Sequence, residues 1–547
     1  MKIALCQINP KIGDLQGNSE KIITYLNKVT NCDLVVFPEL SLCGYPPKDL
    51  LLQEQFVDKC WKVLEETIVP QVTVPTLIGL PLKDKNLSFL YNSVAFIKNK
   101  RIEKVIHKKL LPNYEVFFES RYFQPSQIES EEDSFIEIKN KKLAVMICED
   151  FLAGDVEEKA YGQNLIGLLK KKQIASILCL AASPFRKNIK PVRIKHAIQV
   201  SEQLSCPILL VNQVGANDDL IFDGNSFFVN KLGQLESCSK NFEEDLLICN
   251  LDSQTISRNE KKNKKSTQEY SSLDKPEDKQ EIKKALILGI KDYFQKTGFS
   301  KALIGISGGI DSALVACLAK EALGAKNVTG VLMPSVYSSE GSVLDAQNLL
   351  KNLGVASKRI GIQPILESFL KQTGIQKLTK AEENLQSRVR GNILMALANQ
   401  DNALVLATGN KSEFAVGYST LYGDCCGALA PIGDLWKTQV WEISKTFPEI
   451  PLEIIQKPPS AELRPDQLDT DSLPDYETLD RVLSLIIENH FSEKKIVQMG
   501  FEEKTVKKIF HLLSVNEFKR RQAPIILKVS FKAFGSGWVY PIAKAAQ

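Results

Sequence analysis

The chain opens on short apolar runs that end in polar or acidic residues, and this pattern recurs through its first half. Ile3-Ala4-Leu5-Cys6-Gln7-Ile8 alternates too little for a surface strand and predicts a buried one. A helix from about Asn18 to Val29 follows, then the apolar run Asp33-Leu34-Val35-Val36-Phe37-Pro38-Glu39. Further strands are predicted at 76–80, 91–97, 101–108, 142–148, 175–183, 207–213 and 226–230, with a basic amphipathic helix ending at Leu204. Only some of these strands are separated by helices, which predicts a mixed α/β sandwich.

The pattern then breaks. From about residue 257 to 280 the chain is polar, lysine-rich and without an apolar period, as a solvated linker is. Beyond it, strands alternate with helices. The helix Glu281–Thr297 leads to a buried strand at Ala302–Ile306 and a helix from Ser312 that stops at Gly324. Strands follow at 328–334, 359–362 and 403–409, with helices starting at Ser338 and spanning Leu385–Leu397. Such alternation predicts a Rossmann-like, doubly wound parallel sheet with its ligand at the carboxyl ends of the strands. The expected domains are 1–256, a linker at 257–280, and 281–547.

Composition narrows this little. The 547 residues exceed one core. With 69 basic and 65 acidic residues, the net charge of +4 gives no case for nucleic acid as a partner. No apolar run reaches membrane-spanning length, and the N-terminal apolar stretch is too short for a signal peptide. Twelve cysteines without a CxxC pair fit a reducing cytoplasm.

The most informative stretch is Gly305-Ile306-Ser307-Gly308-Gly309-Ile310-Asp311-Ser312. Strand, glycine turn and helix together make an anion site, with backbone N–H groups and a helix N-terminus turned to phosphate. The lysine of the common phosphate loop is missing and Asp311 stands there instead. An acid beside phosphates calls for a cation between them, which implies Mg2+. This loop resembles that of the ATP pyrophosphatases, which activate a substrate as an adenylate and so use ATP.

In the first half, three predicted strand ends carry Glu39, Lys108 and Cys148. Any one alone is weak evidence, Glu39 having the plainer reading of a solvated loop acid and Cys148 that of a buried structural thiol. As a set they make chemical sense, because a carboxylate can take a thiol proton, a thiolate can attack a carbonyl, and an ammonium can hold the resulting negative charge.

From residue 1 to about 250 the chain resembles the nitrilase superfamily, an α-β-β-α sandwich. Phe37-Pro38-Glu39-Leu40 is similar to its glutamate motif and Cys148-Glu149-Asp150 to its cysteine motif. Lys108-Lys109-Leu110-Leu111-Pro112-Asn113-Tyr114 is similar to its lysine motif, whose spacing assigns the role to Lys108 rather than Lys109. The Leu-Pro-Asn-Tyr extension resembles the glutamine amidase branch fused to NAD synthetase. That resemblance implies that Tyr114 and Ser183 hold glutamine, with Lys190, one residue out of the usual spacing, as the basic contact. Phe151 and Leu152 depart from the tryptophan more usual nearby.

From about residue 281 to the C-terminus the chain resembles the NAD synthetase family, through Glu383–Gly391, Thr408–Glu413 and Tyr422–Val440. The resemblance implies ATP contacts from the loop and Thr408, and deamido-NAD contacts from Asn384, Glu413 and Lys528. It also implies Mg2+ on Asp311 and Glu413. For Glu413, a carboxylate at a helix N-terminus is the plainer reading. The whole implies adenylation of deamido-NAD, its amidation by ammonia from glutamine, a shielded path for that ammonia, and a homo-oligomer, at least a dimer through the synthetase domain. Two other readings stay open: a different ATP pyrophosphatase, acting on XMP or tRNA, and an N-terminal domain that is only a scaffold, with free ammonia as the donor.

Overall fold

The structure, a computed structural model, describes residues 1–29, 31–84, 89–126, 134–153, 161, 164–170, 172–252 and 277–544. Most of the expected linker, 257–276, lies outside the described residues. The chain separates into two compact units, one of residues 1–217 with 221–275, the other of residues 218–220 with 276–547.

The first unit carries fourteen strands among its described residues: β1 Lys2–Gln7, β2 Leu34–Val36, β3 Thr76–Lys83, β4 Leu90–Lys98, β5 Arg101–His107, β6 Phe135–Ile138, β7 Lys141–Ile147, β8 Ser176–Ala181, β9 Ile208–Asn212, β10 Val214–Asn217, β11 Leu220–Asp223, β12 Phe227–Val229, β13 Leu235–Cys238 and β14 Asp245–Asn250. Twelve of them form two six-stranded sheets, ordered β14-β1-β2-β3-β4-β5 and β13-β12-β9-β8-β7-β6. Period-2 alternation sorts their side chains. Leu143, Val145 and Ile147 of β7 face Ile3, Leu5 and Val36 of the other sheet in the central layer. Ala144 and Met146 face the opposite way, with Cys148 continuing that row, toward Ile194, Ala197 and Val200 of the helix Ile189–Leu204. Ile22 and Leu26, from the helix Leu15–Lys28, cover the outer face of the first sheet. The result is the α-β-β-α sandwich that the nitrilase resemblance implies.

The second unit holds a four-stranded parallel sheet of β15 Ala302–Gly305, β16 Val328–Leu332, β17 Ala356–Arg359 and β18 Leu404–Val405, in the order β17-β16-β15-β18. The helix Ile310–Leu323 is buried along most of its length, at nine of its fourteen residues. The helix Lys380–Asp401 lies across the other core, where Val389, Leu394 and Ala398 meet Leu303, Val331 and Val405. Strand order reverses between β15 and β18, so a crevice opens at their carboxyl ends.

Several boundaries differ from expectation. The helix after the glycine turn starts at Ile310, not Ser312, so Asp311 sits in its first turn. The third strand of this sheet is Ala356–Arg359, not 359–362, because its partner β16 ends at Leu332, opposite Arg359, and beyond it Ile360 and Ile362 keep only single N–H bonds to the Leu332 and Pro334 carbonyls. The run at 403–409 pairs with β15 over only two residues, after which Leu406 bridges to Leu429. The helix expected from Glu281 begins at Glu277, and that expected over 385–397 spans Lys380–Asp401.

Candidate active sites

In the first unit, Glu39 follows β2 in a turn made possible by Gly79 of β3, where a Cβ would lie 2.4 Å from the Leu40 nitrogen and 2.6 Å from the Pro38 oxygen. Its buried carboxylate has three donors. Oε1 accepts from Lys108 Nζ and from Asn92 Nδ2, each at 2.7 Å, and Oε2 accepts from the Ala182 N–H at 3.0 Å. Lys108, one residue past β5, is tied by its own N–H to the Asn92 carbonyl at 2.8 Å. Its ammonium also donates to both oxygens of Glu119, each at 2.8 Å, and Tyr45 Oη donates to the same carboxylate at 2.9 Å. Burial alone would lower the Lys108 pKa, but the Glu119 and Glu39 carboxylates hold it well above the ordinary lysine value. Burial, with Glu39 adding repulsion, pushes Glu119 up to about 7.

Cys148 forms an elbow between β7 and a short helix, Glu149–Leu152, with φ +45° and ψ −95°. A side-chain-bearing residue is strained there, and such strain collects at functional positions. The elbow is held by the Cys148 N–H to the Leu180 carbonyl at 2.9 Å and by Phe151 and Leu152 N–H groups to the Cys148 carbonyl. Burial pushes the thiol pKa well up, Glu39 pushes the same way, and Lys108 opposes them. The resting thiol is therefore protonated, and a base must remove its proton before attack.

The neighbours of Cys148 divide in role. Asp150 accepts from the N–H groups of Lys109, Leu110 and Ile147 at 2.9, 2.8 and 3.1 Å, which joins the elbow to the segment after Lys108. Glu149 accepts from Tyr114 Oη at 3.1 Å and from Tyr161 Oη at 2.8 Å. Ser183 is packed against Arg193, whose Nε donates to Ser183 Oγ at 3.1 Å and whose Nη1 pairs with Asp223 at 2.8 Å. Lys190 stands partly exposed on the first turn of that helix, where its charge acts on Cys238, and no described bond joins it to Ser183.

In the second unit, the loop after β15 brings Gly308, at φ +84°, against the helix Glu340–Leu353. A Cβ there would lie 2.3 Å from the Ser342 carbonyl oxygen, so only glycine fits. Ser307 Oγ accepts the Gly309 N–H at 3.2 Å and Ser312 Oγ donates to the Gly309 carbonyl at 3.0 Å. These contacts shape a cavity of about 400 Å3 lined by Gly305–Ser312 together with Asn384, Thr408, Glu413 and Lys437. Asn384 Oδ1 accepts from Thr420 Oγ1 at 3.0 Å. Lys528 is not among the lining residues; it is buried, and its ammonium donates to the Ser530 carbonyl.

Two acids from different elements meet in this cavity. Asp311 Oδ1 accepts from Asn410 Nδ2 at 2.9 Å, and Asp311 Oδ2 from Lys437 Nζ at 2.5 Å. The same ammonium is 3.6 Å from Glu413 Oε1. Glu413 also closes a capping box with Asn410, as the helix-terminal reading expects, while lining the cavity. Burial, with Asp311 adding repulsion, pushes Glu413 up to about 8.

Sequence reasoning missed Glu119, Asn92, Tyr45 and Arg193 and gave Lys437 no role. Glu119 stands on a short turn with no pattern of its own. Lys437 lay within the matched Tyr422–Val440 stretch and was the findable one.

A strained thiol elbow beside a buried carboxylate and lysine, and a phosphate-type loop at a sheet's switch point, define a class of protein that pairs amide hydrolysis with nucleotide chemistry. The chain matches the carbon-nitrogen hydrolase family over residues 2–260 and the NAD synthase family over residues 282–523. It is 44% identical to the glutamine-dependent NAD(+) synthetase of Synechocystis sp., over 99% of this chain and 98% of that protein. Its identity to the same enzyme of Aquifex aeolicus is 38%, over 99% of both. A solved glutamine-dependent NAD+ synthetase from Acinetobacter baumannii, in complex with ADP, superposes with a TM-score of 0.75 at 34% identity, covering 100% of this chain and 99% of that one. The chain belongs to the glutamine-dependent NAD(+) synthetases.

Proposed function

We propose that the chain amidates deamido-NAD to NAD, with glutamine as nitrogen donor and ATP cleaved to AMP and pyrophosphate. Residues 281–547 carry out the synthesis. A carboxylate is a poor acyl donor, so the nicotinate carboxylate of deamido-NAD first attacks the α-phosphorus of ATP and pyrophosphate leaves. Ammonia then attacks the acyl carbon of the adenylate, AMP leaves with the electron pair of the broken C–O bond, and the amide forms. Gly305 to Ser312 and Thr408 hold ATP, and Asn384, Glu413 and Lys528 hold deamido-NAD.

Residues 1–256 release the ammonia. Glu39 takes the Cys148 thiol proton as sulfur attacks the glutamine amide carbon, Lys108 holds the oxyanion, and Glu39 returns the proton to the departing ammonia. Water then cleaves the thioester to glutamate. Tyr114, Ser183 and Lys190 hold glutamine.

Asp311 and Glu413 suit a hard divalent cation, since two carboxylates from separate elements already share one ammonium. Mg2+ held by this pair would offset charge on the leaving pyrophosphate. No helix among the described residues is long and apolar enough to cross a membrane. Twelve free cysteines support a cytoplasmic enzyme. The active form is a homo-oligomer, at least a dimer through the synthetase domain.

The observation that carries this reading is the presence, in one chain, of the Glu39–Lys108 ion pair beside the Cys148 elbow and of the phosphate-type loop with its acid pair. A panel of deamido-NAD, XMP and tRNA, each with ATP and either glutamine or ammonium, tests it. Only deamido-NAD should be amidated, by either donor. Cys148→Ala should abolish the glutamine reaction and leave the ammonium reaction; a variant that still used glutamine would remove Cys148 from the mechanism.

A further inference from the structure

Lys437 is the first residue of the helix Lys437–Ser444, and its side chain is almost wholly buried. Its N–H donates to Ser412 Oγ at 2.9 Å, which fixes where the side chain starts. Its ammonium stands among the rings of Tyr476 and Trp441, 5.3 and 5.8 Å from their centroids, with Asp469 adding further negative potential. From there it bonds Asp311 at 2.5 Å and pairs with Glu413 at 3.6 Å. The ammonium thus occupies the space between the two carboxylates assigned above to the divalent cation.

Two cations a few ångströms apart in a poorly solvated site repel strongly. An ammonium and a divalent cation cannot both bridge one pair of acids. A buried ammonium that gives up a carboxylate also needs another anion, or it bears the cost of an unpaired buried charge. The anions this cavity is shaped to admit are the phosphates of a nucleotide, beside Gly308 and Gly309.

We propose that Lys437 is a built-in stand-in for the metal. In the nucleotide-free enzyme it is held by Asp311 and Glu413 and keeps divalent cations out. When a nucleotide arrives, its phosphates draw the ammonium away from the acids and the cation enters in its place. The site therefore takes its metal only together with a nucleotide. This inference rests on Asp311 and Glu413 being the metal ligands.

Mn2+ titrations of the full-length protein, followed by the loss of the free Mn2+ electron paramagnetic resonance signal, test it without turnover. They are run with and without an ATP analogue whose α,β-bridging oxygen is a methylene group, and the Mn2+ that the analogue binds in a protein-free titration is subtracted. The native enzyme should bind Mn2+ weakly alone and about tenfold or more tighter with the analogue. Lys437→Met keeps the length and apolar contacts of the side chain and removes its charge. It should bind Mn2+ at least about tenfold tighter than the native enzyme without nucleotide, and gain little from the analogue. Lys437→Gln, which can still bond Asp311, should behave like Lys437→Met and serves if that variant does not fold. Lys437→Arg should remain weak without nucleotide. Nucleotide-free Mn2+ binding unchanged or weakened in the Met and Gln variants would overturn the stand-in role. Asp311→Asn separates the two ideas. Loss of analogue-dependent Mn2+ binding there, with unchanged binding in Lys437→Met, leaves the metal ligands standing and rejects the stand-in. Retained analogue-dependent binding in Asp311→Asn rejects both.

Discussion

Each unit holds a buried lysine ammonium between two carboxylates, and the two clusters differ in how far the protein finishes them. In the first, Lys108 lies between Glu39 and Glu119, with side-chain exposures of 1%, 0% and 5%. Asn92, Tyr45 and the Ala182 N–H supply further donors to the two acids. In the second, Lys437 lies between Asp311 and Glu413, whose side chains are 17% and 18% exposed and face a cavity of about 400 Å3. The same three charges thus make a sealed device in one place and an open one in the other. The proposed chemistry asks for this difference: a closed cluster suits charge that develops on a small amide, and an open one suits charge that arrives with a ligand.

The sharpest way to break the sealed cluster is Lys108→Ala. It leaves Glu39 and Glu119 buried without their shared cation. Removing one partner of a buried pair costs about 3–5 kcal/mol. Lost oxyanion stabilisation costs about a hundredfold or more in rate. Glutamine hydrolysis should fall by at least that factor, measured as glutamate release, while ammonium-dependent synthesis survives in the folded fraction. A variant hydrolysing glutamine within a few-fold of the native rate would show that the ion pair is structural only.

Asp311→Asn tests the open cluster. Asparagine keeps the size and can accept the Asn410 bond, and Asp311 makes no side-chain cap of its helix, so the fold should hold. Synthesis should fall by about a hundredfold with either nitrogen donor, as expected when charge stabilisation at a phosphoryl centre is removed. Glutamine hydrolysis should persist, and high Mg2+ should restore part of the loss. Near-normal ammonium-dependent synthesis would make Asp311 a helix-terminal residue and turn attention to Glu413.

A smaller effect separates the clusters by pH. The Glu119 carboxyl is raised to about 7, with burial as the leading cause. Below that pH it is neutral and Lys108 keeps Glu39 as its anionic partner; above it, Lys108 faces two anions. The ionised Glu119 then repels the Glu39 carboxylate and makes it the stronger base for the Cys148 proton, so the rate of glutamine hydrolysis should rise as pH passes upward through about 7. The change is expected to be of the order of tenfold, as for a single group tuned near the working pH. Glu119→Gln should flatten the profile in this window. A step of equal height in Glu119→Gln would assign it to another group, with Asp150, raised to about 6 by burial, the next to test.

How much of this was legible in the sequence follows from what each signal measures. The apolar runs gave both fold classes, and full-length resemblance gave the family, because burial on both faces of a parallel strand leaves a strong local trace. The same signal misled at 359–362, where Ile362 is buried in a loop while the actual strand, Ala356–Arg359, is a largely exposed edge. It also overextended the run at 403–409, since apolarity cannot register that the last bond to β15 is that of the Leu406 N–H to the Leu303 carbonyl, beyond which the Ala407 N–H turns to Leu429. In the sites, Glu39, Lys108 and Cys148 stood on strand ends that a motif could mark. Glu119 is eleven residues beyond Lys108 on a short turn, and only chain closure brings it to the ammonium. Lys437 lies 126 residues from Asp311, so no local pattern could pair them.

The smallest effect sharpens the sealed cluster by showing where it stops. Lys109 adjoins Lys108 in sequence, and the family spacing alone chooses between them. In the structure their side chains part. Lys108 reaches Glu39 and Glu119, whereas the Lys109 ammonium bonds Ser134 Oγ. What Lys109 gives the site is its backbone, whose N–H binds Asp150 and so braces the segment against the Cys148 elbow. Alanine keeps that N–H. Lys109→Ala should then change glutamine hydrolysis by no more than about twofold, in line with roughly 0.5 kcal/mol for a partly exposed side chain away from buried networks. Lys109→Pro, which deletes the N–H, should be far more damaging than Lys109→Ala. Equal losses in the two would mean that the ammonium itself acts in the site. A loss in Lys109→Ala matching that of Lys108→Ala would extend the sealed cluster to both lysines.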